Sequence, residues 1–181
     1  AESLALHCAC DLDGRVAGTL TAMTVKGTLS AGSVRQEDAA VEAIKVGFDL
    51  GKLPDTPEGS MTLTARSPAG DLSARTRLAL RDEVLTLDDM RAESRDATVT
   101  GAMALPLSGA PVQGDLKVDV GDLKGLLALA RLDGDGKLSG TARLRDEAGR
   151  QAATADVTLD GLSFRHAPDA PIISAERATA K

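Results

Sequence analysis

In this 181-residue chain the apolar residues fall on every second position almost throughout. Val99, Gly101, Met103, Leu105 and Leu107 alternate with other residues, and Leu116, Val118 and Val120 resume the alternation after a Gly- and Pro-marked interruption. Period two sends successive side chains to opposite sides of an extended strand. This segment therefore predicts strand, turn and strand with one apolar face. The same period runs through Ile44–Leu50, Met61–Ala65, Leu72–Leu80, Leu138–Leu144 and Ala153–Leu159. Turn signals separate these runs: "LPDTPEG", "SPAGD", "LSGAPVQGD", "DGDG", "DEAGR" and "APDAP". Their spacing, often about ten residues, is that of a strand meander.

Near the start, Val16, Gly18, Leu20 and Ala22 alternate, and the phase then slips to Met23, Val25, Gly27, Leu29 and Ala31. A one-residue slip within a strand reads as a β-bulge. Two stretches depart from period two. "DLKGLLALARL" (122–132) places Leu123, Leu126, Leu127 and Leu132 on one helical face, with Asp122 able to cap its start. "RQEDAAVEA" (35–43) reads as a second, shorter helical turn. The expected fold is all-β, an antiparallel meander with one or two short helices.

What such strands pack against is the open question, because the apolar fraction of 43% contains two Phe, no Tyr and no Trp. Rings normally dominate core burial, at roughly 150–250 Å² each. A compact core built from Ala, Leu and Val alone is thin. This favours an extended shape, or a face filled by something other than protein.

The net charge of −6 comes from 21 basic and 27 acidic residues of interspersed sign. Nucleic acid is excluded as a partner class, since there is neither a basic footprint nor an aromatic platform. No basic amphipathic stretch suits an anionic membrane surface. The longest uncharged run, Ala97 to Gly114, reads with period two and is broken by prolines and glycines, so it does not span a bilayer as a helix. The opening "AESLALHCACDLDG" carries no signal-peptide pattern and reads as part of a processed or excised segment.

Four pairs of segments repeat in order at offsets of 72 to 77 residues. "VKGTL" (25–29) echoes "VTGAM" (99–103), and "IKVGFDLGKL" (44–53) echoes "LKVDVGDLKGL" (116–126). "EGSMTLTAR" (58–66) echoes "DGKLSGTAR" (135–143), and "LTLDDM" (85–90) echoes "VTLDGL" (157–162). Residues 1–181 are therefore read as one strand-built segment of a longer repetitive protein, containing a diverged repeat at about 25–90 and 99–162.

Motifs for chemistry are sparse. "HCAC" (7–10) sends Cys8 and Cys10 to one strand face and His7 to the other, and the second His, His166, is far along the chain. This falls short of the three or four convergent donors a metal needs, so no metal site is expected. "LDGDGKLSG" (132–140) opens like a calcium loop, but Lys137 stands at a ligand position and Leu144 where the closing Glu belongs. Its glycines also have the wrong spacing for a dinucleotide. That stretch and "DLDG" (11–14) are read as turns. Asp82–Glu83 and Asp88–Asp89 are adjacent pairs that point apart in a strand and read as solvated face. Two histidines and no nucleophile elbow leave no material for a triad. Neither catalytic residues nor a cofactor is expected, and the chain is not read as an enzyme.

Residues 85–144, "LTLDDMRAESRDATVTGAMALPLSGAPVQGDLKVDVGDLKGLLALARLDGDGKLSGTARL", combine a V-x-G strand, a G-x-L-x-V-x-V strand with a short Leu-rich helix, and a G-x-L-x-G-x-A-x-L strand. "GRQAATADVTLDGLSF" (149–164) continues the succession. In these residues the chain resembles an internal piece of TamB/AsmA-like proteins, the translocation and assembly module proteins and their lipid-transporting repeating-groove relatives. They match neither the family's N-terminal membrane anchor nor its C-terminal domain. The resemblance implies a periplasmic sheet curled into an elongated, β-taco-like trough, within a parent protein anchored in the inner membrane of a Gram-negative bacterium. It implies phospholipid acyl chains as ligands and roles in phospholipid transport and outer-membrane assembly. An outer-membrane barrel-assembly protein is the implied protein partner.

On this reading Val99, Met103, Leu105, Leu107, Leu116, Val118 and Val120 line the groove floor. About fourteen strands at about 4.8 Å would make a trough of roughly 65 Å. Three alternatives fit the same alternation. One is a compact β-sandwich whose sheets cover each other. Another is a scaffold that receives barrel or autotransporter strands at its edges. The third is a repetitive adhesin or stalk.

Overall fold

The computed structural model describes residues 10–19, 22–36, 39–67, 70–129, 133–165 and 173–180. It is all-β apart from one short helix. The strands are β1 (Cys10–Thr19), β2 (Ala22–Gln36), β3 (Ala39–Leu53), β4 (Glu58–Ser67), β5 (Gly70–Arg81), β6 (Val84–Glu93), β7 (Ala97–Pro106), β8 (Gln113–Val120), β9 (Asp133–Glu147), β10 (Arg150–Arg165) and β11 (Ile173–Ala180). The helix α1 (Lys124–Leu129) lies between β8 and β9. Strand order follows chain order without a crossover, and the meander is open: β1 pairs only with β2, and β11 only with β10. The chain forms two compact units, Ala1–Arg95 with β1–β6 and Asp96–Lys181 with β7–β11 and α1.

Hairpin geometry explains how one apolar face survives so many reversals. Thr19 lies opposite Ala22 and Leu12 opposite Leu29, so even-numbered residues of β1 share a face with odd-numbered residues of β2. The phase slip at Ala22/Met23 is therefore this chain reversal, and not a bulge within a strand. Reversals with two connecting residues recur at Asp82–Glu83 (φ 49 and 59) and at Ala148–Gly149 (φ 54 and 77). Both central residues are left-handed, which matches the twist of the strands they join. Asp82 and Glu83 are thus a turn and not a solvated strand face.

True bulges occur elsewhere, between Met23 and Val25, Glu42 and Lys45, Arg75 and Arg77, and Asp160 and Ser163. The last one moves the apolar phase of β10 from Val157 and Leu159 to Leu162 and Phe164. Leu159 stays opposite Leu138 and Phe164 opposite Gly134, so both sets remain on one side. In β6 the left-handed Asp89 (φ 50) does the same for Leu87 and Ala92, opposite Leu78 and Ala74.

Several local expectations are corrected. Residues 35, 36 and 39–43 are strand, pairing Arg35 with Ala40 and Gln36 with Ala39, while Glu37 and Asp38 lie outside the described residues. The β2–β3 ladder overrides the helical spacing there. "DLDG" lies within β1, and the stretch from Asp133 to Gly140 lies within β9. Their glycines sit in strands because cross-strand neighbours need the space. Gly27 lies opposite Phe48, whose ring Cζ stands 2.8 Å from where a Gly27 Cβ would be, and Gly134 lies opposite Phe164, whose Cα and Cβ stand 2.7 Å from where a Gly134 Cβ would be. Eleven described strands of 8 to 16 residues replace the roughly fourteen shorter ones expected. A helix forms within the expected stretch, over Lys124–Leu129, with Leu132 outside the described residues, and the Lys124 N–H donates to Asp122 Oδ1 at 2.8 Å.

The segments proposed as a repeat fall on β2 and β7, β3 and β8, β4 and β9, and β6 and β10. The first three pairs follow strand order. In the fourth, β5 intervenes between β4 and β6, whereas β9 and β10 are direct antiparallel neighbours.

Cross-strand ion pairs decorate the polar side. Lys26 meets Asp49 at 2.9 Å, Arg145 grips Asp115 through two bonds of 2.8 and 2.9 Å, and Arg177 meets Asp160 at 2.6 Å. All are solvent-exposed and contribute little individually. Glu58 joins Lys52 at 2.8 Å and Arg81 at 3.6 Å, tying β3, β4 and β5 at one end.

Two predictions follow from this packing. A Cβ at Gly27 would meet Phe48 Cζ at 2.8 Å and backbone atoms of Asp13 and Gly14 at 2.6 and 2.9 Å. Gly27→Val is expected to lower stability by about 1–3 kcal/mol, measured as a shift in the urea midpoint. The Glu58 carboxyl is held below its usual 4.5, first by the hydrogen bond from Lys52; desolvation opposes this next, and the charges of Lys52 and Arg81 add to the lowering. Its contribution is complete above that usual value and is lost as pH falls through the lower folded value. The stability difference between the wild type and Glu58→Gln should therefore shrink on acidification below pH ~4.5, as read by urea titrations at a series of pH values.

Candidate functional site

Register assembles the alternating residues of the second unit into continuous apolar rows. Val99 lies opposite Val118, Val118 opposite Gly140, Gly140 opposite Val157, and Val157 opposite Ala180. A parallel row runs from Ala97 through Val120, Leu138 and Leu159 to Ala178. Two more run from Gly101 through Leu116 and Ala142 to Ala155, and from Met103 through Gly114 and Leu144 to Ala153. Directly opposed side chains lie on one face, so these rows form a single aliphatic surface. The reverse face carries Thr98, Asp119, Ser139 and Thr158 in one row, and Thr100, Lys117, Thr141 and Asp156 in the next.

The first unit is built the same way. Leu12, Leu29, Val46, Leu63, Ala74 and Ala92 form one row. Val16, Val25, Leu50, Gly59, Leu78 and Leu87 form another. Between them run Gly14, Gly27, Phe48, Met61 and Thr76, the one polar residue of these three rows.

The burial of these faces decides how they can be used. Among the described residues only Ala65, Val120 and Leu123 are buried, and no large side chain is fully enclosed. Leu29, Met61 and Leu63 are 36–37% exposed although they sit in the middle of rows. Their neighbours shield them from the sides, and no second layer encloses them. This differs from a β-sandwich, whose inner faces interdigitate across about 10 Å.

The second unit has one local cover. Leu123, just before α1, donates its N–H to the Gly136 carbonyl at 2.8 Å, and its Cδ1 stands 3.4 Å from where a Gly136 Cβ would be. Together with the burial of Val120, this closes one end of the aliphatic face.

Six of the seven expected floor residues fall on this surface or its continuation. Val99, Met103, Leu116 and Val118 are half-buried within the rows, Val120 is buried, and Leu105 is half-buried near the end of β7. Leu107 does not belong to it. Pro106 ends β7, the Gly109 N–H returns to the Pro106 carbonyl at 3.3 Å, and Leu107 stands in that turn at 62% exposure. A proline cannot extend the ladder past itself because it lacks the donor. The rows also recruit Leu138, Leu144, Val157, Leu159, Leu162 and Phe164. Their alternation was visible in the sequence, but their membership of the same face required the hairpin registers.

The chain matches no known protein family, no curated protein and no solved structure. Its face is therefore interpreted from its own geometry.

An open hollow of about 920 Å³ in the first unit is lined by the polar row Lys45, Thr64, Ser73 and Glu93 together with Ala65 and Leu72. Among the described residues no three His, Cys, Asp or Glu side chains converge as metal ligands. Cys10 is a free, exposed thiol, while His7, Cys8 and His166 lie outside the described residues. No described helix is long and apolar enough to cross a membrane.

The row geometry predicts a difference between faces. Val118→Asp puts a carboxylate between Val99 and Gly140, whereas Thr100→Asp puts one opposite Lys117. A fluorescent apolar probe that brightens on the wild-type chain should lose most of that signal with Val118→Asp and keep it with Thr100→Asp.

Proposed function

We propose that the chain holds lipid acyl chains on its aliphatic face, as a segment of a TamB/AsmA-like envelope protein that conducts phospholipid and supports outer-membrane assembly. The observation that carries this reading is a row-ordered aliphatic surface, several strands wide, with only three buried residues among those described. Large contiguous apolar surface is uncommon on soluble monomers and marks a binding surface.

The dimensions suit a hydrocarbon chain. Five strands at about 4.8 Å spacing give the second unit a surface about 19 Å across. One leaflet of a bilayer core is about 15 Å thick, half of the roughly 30 Å core. Each CH₂ withdrawn from water is worth about 0.8 kcal/mol, so even partial coverage of a long chain stabilises the complex by several such steps. The rows of the second unit carry no polar side chain, so that surface grips chain length more than chemical detail. That suits passage of lipids better than selection among them. The absence of Tyr and Trp leaves the surface low, and both Phe residues stand opposite glycines. On this proposal the parent protein is periplasmic and anchored in the inner membrane. Its protein partner is an outer-membrane barrel-assembly component.

Solvent extraction and mass spectrometry of the chain, purified without detergent, provide the direct test. Near-stoichiometric phospholipid is expected, with at least a tenfold loss in Met103→Asp or Val118→Asp variants that keep their β-sheet circular dichroism. A folded wild-type chain with no lipid, or variants that retain it, would overturn the assignment.

A further inference from the structure

The aliphatic face of the second unit ends differently at its two rims. We infer that Leu123 and α1 form a stop for the methyl end of a bound acyl chain, which lies along the strands with its polar head at the opposite rim, beside Asp146 and Gln151. The inference rests on the acyl-chain reading above. It makes Leu123 the residue that determines how long a chain the face accepts.

The stop is buried and firmly held. Val120 and Leu123, at 4% and 6% exposure, are two of the three buried residues among those described, and both stand at this rim. Period two puts Gly136 on the same face as Leu138, and Leu123 Cδ1 lies 3.4 Å from where a Gly136 Cβ would be. The missing side chain at Gly136 is thus the space that Leu123 folds into. Backbone bonds fix the entry to α1 from two sides. The Gly121 N–H donates to the Asp96 carbonyl at 2.7 Å, and the Leu123 N–H donates to the Gly136 carbonyl at 2.8 Å. The Leu127 N–H returns to the Leu123 carbonyl at 2.8 Å, so the half-buried Leu127 stands one turn on, on the same side of the helix. Together these contacts make a wall at the end of the face.

The opposite rim is polar on the same face. Along β9, Leu138, Gly140, Ala142 and Leu144 are followed at the next same-face position by Asp146. Along β10, Gln151 precedes Ala153 in the same way, and Gln151 lies directly opposite Asp146. Both are exposed. Asp146 Oδ1 accepts the Gly149 N–H at 2.7 Å, and the Gln151 amide joins the Val112 backbone at 2.8 and 2.9 Å. Along the strands the face therefore passes from a buried aliphatic wall to a wet, polar edge. Across the strands each row stays apolar from β7 to its last member. A molecule with one apolar and one polar end matches this gradient in one orientation, because burying its polar end against Leu123 would leave that end without hydrogen-bond partners. The run from Leu138 to Leu144 measures about 20 Å, room for the ~15 Å that an acyl chain occupies in one leaflet.

Fluorescence quenching in the full 181-residue chain tests the orientation. The chain has no Trp or Tyr, so one introduced Trp reports alone. Leu138→Trp places it near the stop and Leu144→Trp near the polar rim. A saturated fatty acid brominated at its terminal carbon should quench the Leu138→Trp chain more than the Leu144→Trp chain, and the same acid brominated beside its carboxylate should do the reverse. Quenching without this positional difference, or with the opposite one, would overturn the stop and leave the acyl-chain reading standing. Absence of quenching by either acid would overturn that reading, and the stop with it.

A chain-length series gives a second, independent readout. Each added CH₂ should tighten binding up to about fourfold until the acid fills the run, and then add nothing. Leu123→Ala should move that levelling-off to longer acids. A levelling-off that does not move, or binding that tightens equally at every length because α1 competes for the face, would overturn the assignment of Leu123.

Discussion

A sheet that no second layer encloses keeps its side chains in place by register, and register is what the rest of this structure depends on. Each hairpin fixes which residues stand opposite one another, and each pairing decides whether an aliphatic residue joins its row or faces water with the threonines and aspartates. The bulges belong to the same constraint. Where spacing drifts by one residue, at Asp89 or between Asp160 and Ser163, the backbone takes up the extra residue and the apolar set stays together. With only Ala65, Val120 and Leu123 buried among the described residues, jigsaw packing has little part in specifying their arrangement. Ladder hydrogen bonds and same-face neighbours carry it instead.

Strand content was readable in the sequence because period two is a direct image of the pleat. The runs around Val99–Leu105 and Leu116–Val120 became β7 and β8 with their faces as expected. The helix was readable too, from the leucine spacing after Asp122. Partnership across strands was not. That Val118 stands between Val99 and Gly140 follows from hairpin lengths, which alternation alone does not encode. Glycine misled in both directions: "DLDG" and "DGDG" have turn composition but lie in strands, where Gly134 makes room for Phe164. Leu107 kept the period yet left the sheet, because Pro106 stops the ladder one residue earlier. Of the stretch at 35–43, which had helical spacing, the described residues 35–36 and 39–43 are strand, since pairing with a neighbour outweighs a short helix of marginal stability.

The near absence of rings now has a structural counterpart. The chain's two aromatic side chains each stand opposite a glycine across the ladder, and the Phe48 ring reaches over Gly27. Elsewhere the surface is Val, Leu, Ala and Met, so its relief is shallow along the rows. Leu123 interrupts it at one end by folding onto Gly136. The opposite face of the same strands is held by Lys26–Asp49, Arg145–Asp115 and Arg177–Asp160, so the two sides differ sharply in what they offer a ligand.

The paired-residue arithmetic of the hairpins also limits how this chain can change in length. Deleting one residue from the reversal at Ala148–Gly149 would invert the facing of β10 relative to β9, and every later strand would inherit the inversion. Removing two residues would leave the facing intact. Insertions and deletions in such a protein are therefore expected to survive in even numbers, or in odd numbers only where a new bulge takes up the remainder. Its genes should accumulate length variation in steps of two codons.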